Sequence, residues 1–143
     1  MITGIMTSFK QMVHGLIWMD APTKASAVAK VDQIVRNVAY PDWIMDNYKL
    51  DLYHQDLPNA TSEWWPSLAK LLYFDFDVNF VKTLSKLTDR TNFLDSPARV
   101  NAWYQPELNS ITFPAAILNP PFFNAFYPHS INYGGMGVVM GHE

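Results

Sequence analysis

The chain has 143 residues, of which 49% are hydrophobic, 15% aromatic and only 16% charged, with a net charge of −3. An ordinary soluble domain carries roughly 25% charged residues, so this chain has too little polar surface to cover itself and reads as a slice of a larger core. Acidic and basic residues are mixed without a basic face, which argues against a nucleic-acid partner, and the lack of cysteine excludes a disulfide framework or a cysteine metal site within these residues.

Ile2 to Trp18 reads as the first helix. Lys10, Gln11 and His14 interrupt it where a signal peptide needs an unbroken apolar region. No apolar run reaches the roughly 18 residues of a membrane span, so neither targeting nor anchoring is expected in these residues. Asp20 is a suitable N-cap with Pro22 in the first turn, and the helix it opens is expected over Ala21 to Val38. Val28, Val31, Ile34, Val35 and Val38 recur at three and four, giving one buried stripe. Tyr40-Pro41-Asp42 ends that helix, because the residue before proline avoids the helical region, and Asp42 is expected to cap a short helix over Trp43 to Tyr48. Asn59-Ala60-Thr61 has the pattern of a glycosylation acceptor. A third long helix is expected from Pro66 to Leu87, with Leu68, Leu71, Leu72, Phe76, Phe80, Val81 and Leu84 on its apolar face.

The texture changes after Thr88. Val100–Tyr104 (VNAWY) and Ile111–Phe113 (ITF) read as a hairpin with a longer loop, and Pro106 favours an edge strand over a central one. Pro114, Pro120 and Pro121 punctuate an irregular stretch. From Tyr133 another helix begins. Glycine is costly inside a helix, so Gly134, Gly135, Gly137 and Gly141 suggest something packed close to the backbone. The fold class expected is mainly α with a small β-hairpin (α+β).

The chain closes on NYGGMGVVMGHE, Asn132 to Glu143. His-Glu opens the helical zinc signature H-E-x-x-H, in which two histidines four apart reach one cation and the glutamate takes a proton from bound water. Alone, the dipeptide is a weak signal and reads first as a polar, solvated helix end, with His142 favoured by the C-terminal dipole. It does not stand alone. VNAWYQPELNSITFPAAILNPPFF and SINYGGMGVVMGHE, together with the looser LIWMDAPTKASAVAKVDQI, Tyr40-Pro41-Asp42 and TDRTNFLDSPARVNAWY, resemble the neprilysin and endothelin-converting-enzyme family of zinc metallopeptidases (M13-type).

That resemblance implies a partial zincin-like (thermolysin-like) fold. Residues 1–97 would be a helical segment closing the family's N-terminal peptidase region, and 98–143 the start of the zinc peptidase catalytic domain. The chain would be an interior piece of a larger peptidase, cut inside its zinc motif and missing the remainder of its own catalytic domain. His142 would be the first zinc ligand and Glu143 the general base. Asn101 and Ala102 would hold the backbone of a peptide substrate added to an edge strand. Ile117, Phe122, Val138 and Val139 would line the pocket for the residue after the scissile bond, although apolar residues in such a stretch are more often core. Two departures from the family are Val138, where methionine is frequent, and Ala116, where glycine is usual.

By the same resemblance the parent is a zinc metalloendopeptidase acting on peptides, at the plasma membrane as a type II protein or secreted. One zinc ion would serve the full-length enzyme. This chain offers one ligand where a working site needs three, so in isolation it is expected to be inactive, with large apolar patches exposed. The alternative is a non-catalytic helical interaction module or a relative lacking the metal site. His14, His54 and His129 have no partner at ligand spacing and read as surface residues.

Overall fold

The computed structural model describes all 143 residues apart from Pro58, Ala60, Thr61, Lys82 and Thr83 and the side chain of Asn79. Of the Asn59-Ala60-Thr61 pattern, Ala60 and Thr61 therefore lie outside the described residues. The chain forms two compact units, Met1–Pro41 with Arg90–Glu143, and Asp42–Asp89.

In the first unit, α1 (Ile2–Gly15) and α2 (Ala21–Asp32) pack together, and α1 also packs on α6 (Met136–His142). Val13 of α1 is 2% exposed, and Lys10 pairs with Asp32 of α2 at 2.7 Å. The Asp20 cap forms as expected: its carboxylate accepts from the Thr23 backbone N–H at 2.8 Å, with Pro22 in the first turn. Hydrogen bonds from Thr23, the hydroxyl first and then the backbone N–H, hold the Asp20 pKa below its ordinary value.

The second helix ends sooner than its periodicity predicts. It stops at Asp32, and Val35–Ala39 forms β1, a strand rather than two further turns of helix. The cause is non-local. Val35 to Ala39 pairs in parallel with Ser110 to Pro114, and β-branched valines suit a pleated surface better than a helix. The expected stripe is thereby broken, leaving Val31 buried and Val38 43% exposed. Asn37 faces inward instead, donating its amide to Thr112 Oγ1 at 3.3 Å and to the Asn92 carbonyl at 3.4 Å.

The hairpin forms as β2 (Trp103–Gln105) antiparallel to β3 (Ser110–Pro114), and with β1 it makes a three-stranded sheet of order β1-β3-β2. Every residue of β3 is buried. Ile111 and Phe113 join Ala102, Ile117 and Met136 in the core, where Phe113 and Met136 are fully enclosed. Burying a side chain such as Phe113 stabilises by about 1.5–3 kcal/mol. As Pro106 predicts, β2 lies at the sheet edge, paired on one side only among the described residues.

In the second unit, Asp42–Met45 is a tight 3-10 turn, and α3 runs over Asn47–His54. Asp46 rather than Asp42 caps that helix, accepting from the Tyr48 and Lys49 amides at 3.0 and 3.3 Å. Either aspartate could serve by composition. Asp46 holds the extended conformation a cap requires. Trp43 stacks on Tyr53 with ring centroids 4.8 Å apart. The third long helix begins earlier than expected, with α4 over Trp64–Phe76 running into a π turn at Asp77–Val81. Leu72, Phe76 and Phe80 on it are 61%, 53% and 55% exposed, in keeping with the apolar patches that the composition predicts.

Candidate active site

The site is assembled in the first unit from β2, α6 and the segment that precedes α6. Two short helices, α5 (His129–Gly134) and α6, are joined at Gly135. The Phe122 carbonyl passes so close to this junction that a Cβ on Gly135 would stand 2.5 Å from its oxygen. The same oxygen accepts the Met136 N–H at 2.8 Å, which fixes the start of α6. The four glycines of this stretch predict something packed close to the backbone. This holds at Gly135 and more loosely at Gly137, where a Cβ would stand 3.3 Å from the Tyr133 ring, whereas a Cβ on Gly134 or Gly141 would meet nothing within 4 Å. Asn132 anchors the loop before α5 by exchanging hydrogen bonds with the Asn124 backbone, at 3.0 and 2.8 Å.

α6 ends on His142, which is exposed, and Glu143 follows half-buried. One Glu143 carboxylate oxygen, Oε2, accepts the backbone N–H of Tyr104 at 3.2 Å. Tyr104 is the middle residue of β2. Its N–H therefore points off the free edge of the sheet, and the strand and the carboxylate are brought together across 39 residues of sequence. Asn101, exposed, and Ala102, 5% exposed, immediately precede this strand. Ala102 and Ile117 are core residues, and Phe122 and Val139 pack half-buried against them. Val138 lies apart from that cluster, 64% exposed. A cleft of about 370 Å³ opens beside the carboxylate, lined by Ile5, Phe9, Val31, Tyr104, Met140 and Glu143 among others. His14, His54 and His129 are exposed, and His54 Nδ1 is engaged by the Leu50 carbonyl at 2.9 Å.

An imidazole and a carboxylate on adjacent residues are the right chemistry for a zinc site, and they are too few. Among the described residues no group of three histidine, cysteine, aspartate or glutamate side chains could hold a metal ion, whereas zinc sites take three protein ligands or more.

A histidine–glutamate helix end thus lies against the outer edge of β2. The model of peptidase family M13 matches residues 101–143. Over all 143 residues the chain is 40% identical to neprilysin-1 of Caenorhabditis elegans, and 39% identical to an endothelin-converting enzyme homolog of Locusta migratoria. It spans only 19% and 20% of the length of these relatives. Among solved structures, 99% of the chain superposes on 23% of a Haemonchus galactose-containing glycoprotein complex chain, at 34% identity and a TM-score of 0.86. It likewise superposes on 20% of the Mycobacterium tuberculosis zinc metalloprotease Zmp1, solved with an inhibitor, at 30% identity and a TM-score of 0.74. The chain is thus similar to peptidase family M13 over residues 101–143 and, over nearly its whole length, to neprilysins and endothelin-converting enzymes.

The contact between Glu143 and Tyr104 was not legible in the sequence, since nothing in either residue marks a pairing at that separation. No helix among the described residues is long and apolar enough to cross a membrane.

Proposed function

We propose that the protein containing this chain is a zinc metalloendopeptidase that hydrolyses peptide bonds in extended peptides. The observation that carries this reading is the hydrogen bond from the free-edge amide of Tyr104 to Glu143, 3.2 Å long, in a chain similar to this family. It puts a carboxylate at the edge where a peptide strand would lie. An extended peptide would add to β2 by backbone hydrogen bonds, with the Asn101 side chain offering both a donor and an acceptor and Ala102 a backbone without side-chain bulk. Residues 98–143 would open the catalytic domain, and residues 1–97 would close the region before it.

His142 would hold one face of a zinc ion whose other ligands lie outside this chain; bound zinc would supply Lewis-acid polarisation of a water and of the peptide carbonyl. Glu143 would accept the proton of the attacking water and pass it to the leaving amine. One carboxylate oxygen is held by Tyr104, which leaves the other to receive the proton. Ile117, Phe122 and Val139, packed around Ala102, with Val138 at the exposed side, would favour a large apolar residue after the scissile bond. We also propose that the full protein works outside the cell, membrane-anchored or secreted, a reading supported by the family resemblance alone.

The test is turnover of two quenched-fluorescence peptides by the full-length protein, with phenylalanine or with glycine after the scissile bond. Chelator-sensitive cleavage that favours phenylalanine is expected. Absence of cleavage, or cleavage indifferent to a chelator, would refute the reading.

A further inference from the structure

The contact that holds Glu143 continues into a mechanical linkage. Tyr104, whose backbone amide holds Glu143, also donates its phenol hydroxyl to Asn109 Oδ1 at 3.2 Å. Asn109 ends the turn between β2 and β3 with φ of 45°, in the left-handed region that asparagine tolerates better than most residues. Its other polar groups are also committed. Nδ2 donates to the Lys30 carbonyl of α2 at 3.0 Å, and its own carbonyl accepts the Val35 amide of β1 at 3.0 Å. Arg90 closes the knot. Its Nη2 donates to the Gln33 carbonyl at 2.6 Å and the Asn109 carbonyl at 3.2 Å, while Nε donates to the Leu108 carbonyl at 2.6 Å. A planar guanidinium with donors in a fixed fork can span three carbonyls at once, which a lysine ammonium on a flexible stem does poorly.

We propose that Arg90 and Asn109 are positioning residues for Glu143. They fasten the β2–β3 turn to the end of α2, the fastened turn fixes Tyr104, and the Tyr104 amide aims the carboxylate. This rests on the peptidase reading above. The reason is the weakness of the strand itself. β2 pairs over three residues and on one side, so its outer end is set by its turn rather than by its ladder. Asn101 and Ala102 lie at the opposite end, secured by the Asn101 amide on the Arg99 carbonyl at 3.1 Å and by burial of Ala102. Loosening the turn therefore acts on the base more than on the peptide-holding residues. A misplacement approaching 1 Å can lower a rate by about a hundredfold. Loss of a single phenol hydrogen bond, with a smaller shift, corresponds to about tenfold.

The experiment uses the full-length protein and the phenylalanine peptide. Y104F removes the hydroxyl and leaves the backbone untouched; N109G keeps the left-handed backbone and removes the side chain; R90K keeps the charge. About a tenfold loss of kcat is expected in Y104F and N109G, and at least as much in R90K, with KM within about twofold and zinc content unchanged. In an E143Q background the same three changes leave the residual rate unmoved, since the group they position has lost its role. Unchanged kcat in folded Y104F and N109G, or equal losses with and without Glu143, would overturn the inference. Failure of the peptidase reading looks different: the wild-type protein then does not cleave, or E143Q cleaves as fast as wild type, and the positioning inference falls with it.

Discussion

Gly135→Ala tests how α6 is seated. The new Cβ would stand 2.5 Å from the Phe122 carbonyl oxygen, and an ordinary contact starts at 3.4 Å, so about 0.9 Å of movement is needed. That same oxygen accepts the Met136 amide at 2.8 Å. Adding 0.9 Å to this distance gives about 3.7 Å, beyond the range of a hydrogen bond. Met136 is fully buried, so its freed N–H costs about 1–3 kcal/mol, and the overpacking costs about 1–3 kcal/mol more. Even 2 kcal/mol is about a thirtyfold change in a local opening equilibrium. Hydrogen exchange in the full-length protein should show the Met136 amide losing protection by about thirtyfold or more. Gly134→Ala is the control. A Cβ there meets nothing within 4 Å, and alanine in place of helical glycine stabilises by about 0.5–1 kcal/mol. Equal protection of Met136 in wild type and G135A would refute the account of how α6 is held.

Phe113→Ala should destabilise the full-length protein by about 3–5 kcal/mol in chemical denaturation, because the ring is fully enclosed on the central strand. The Asp20 cap should give α2 a pH dependence. Its folded pKa lies below the ordinary 3.8, so its stabilisation is present above that value and is lost as pH falls through the folded pKa. The unfolding midpoint should therefore decline on acidification below about pH 4 less steeply in D20A than in wild type. A polypeptide of these 143 residues alone should neither bind zinc stoichiometrically nor cleave peptides, since among its described residues no three groups are placed to hold a metal ion. Metal analysis of the purified chain together with a turnover assay checks both.

Features governed by short-range chemistry were legible in the sequence. The Asp20 cap, the start of α1, the hairpin and the edge position of β2 each follow from residues within a few positions of one another, whereas α1 ends at Gly15, three residues before the Trp18 expected. Val35 and Val38 mislead because their spacing fits a helix and their branching fits a strand. The decision was made by β3, about 75 residues away in sequence, as the Asn37–Thr112 hydrogen bond records. Asp42 and Asp46 present the same side chain to two helix starts, and only backbone conformation separates them. At the site, His142 and Glu143 could be singled out by the motif that they open. Tyr104, Asn109 and Arg90 could not, because their contacts are with main-chain groups and with one another, and no residue pattern marks them. An asparagine in the QPELNS turn does suggest a left-handed position, but not the four elements that meet there. The glycines divide in the same way, with Gly135 committed to the Phe122 carbonyl and Gly134 to nothing nearby.

Replacing Glu143 by glutamine in the full-length protein, at matched zinc content, separates the proposed role as base from metal binding. The change keeps the size of the side chain and an oxygen to accept from Tyr104, and removes the proton acceptor. Our account predicts that kcat for peptide cleavage falls by about 10²–10⁴-fold while zinc per mole of protein and KM stay close to wild type. Wild-type turnover in E143Q would contradict it.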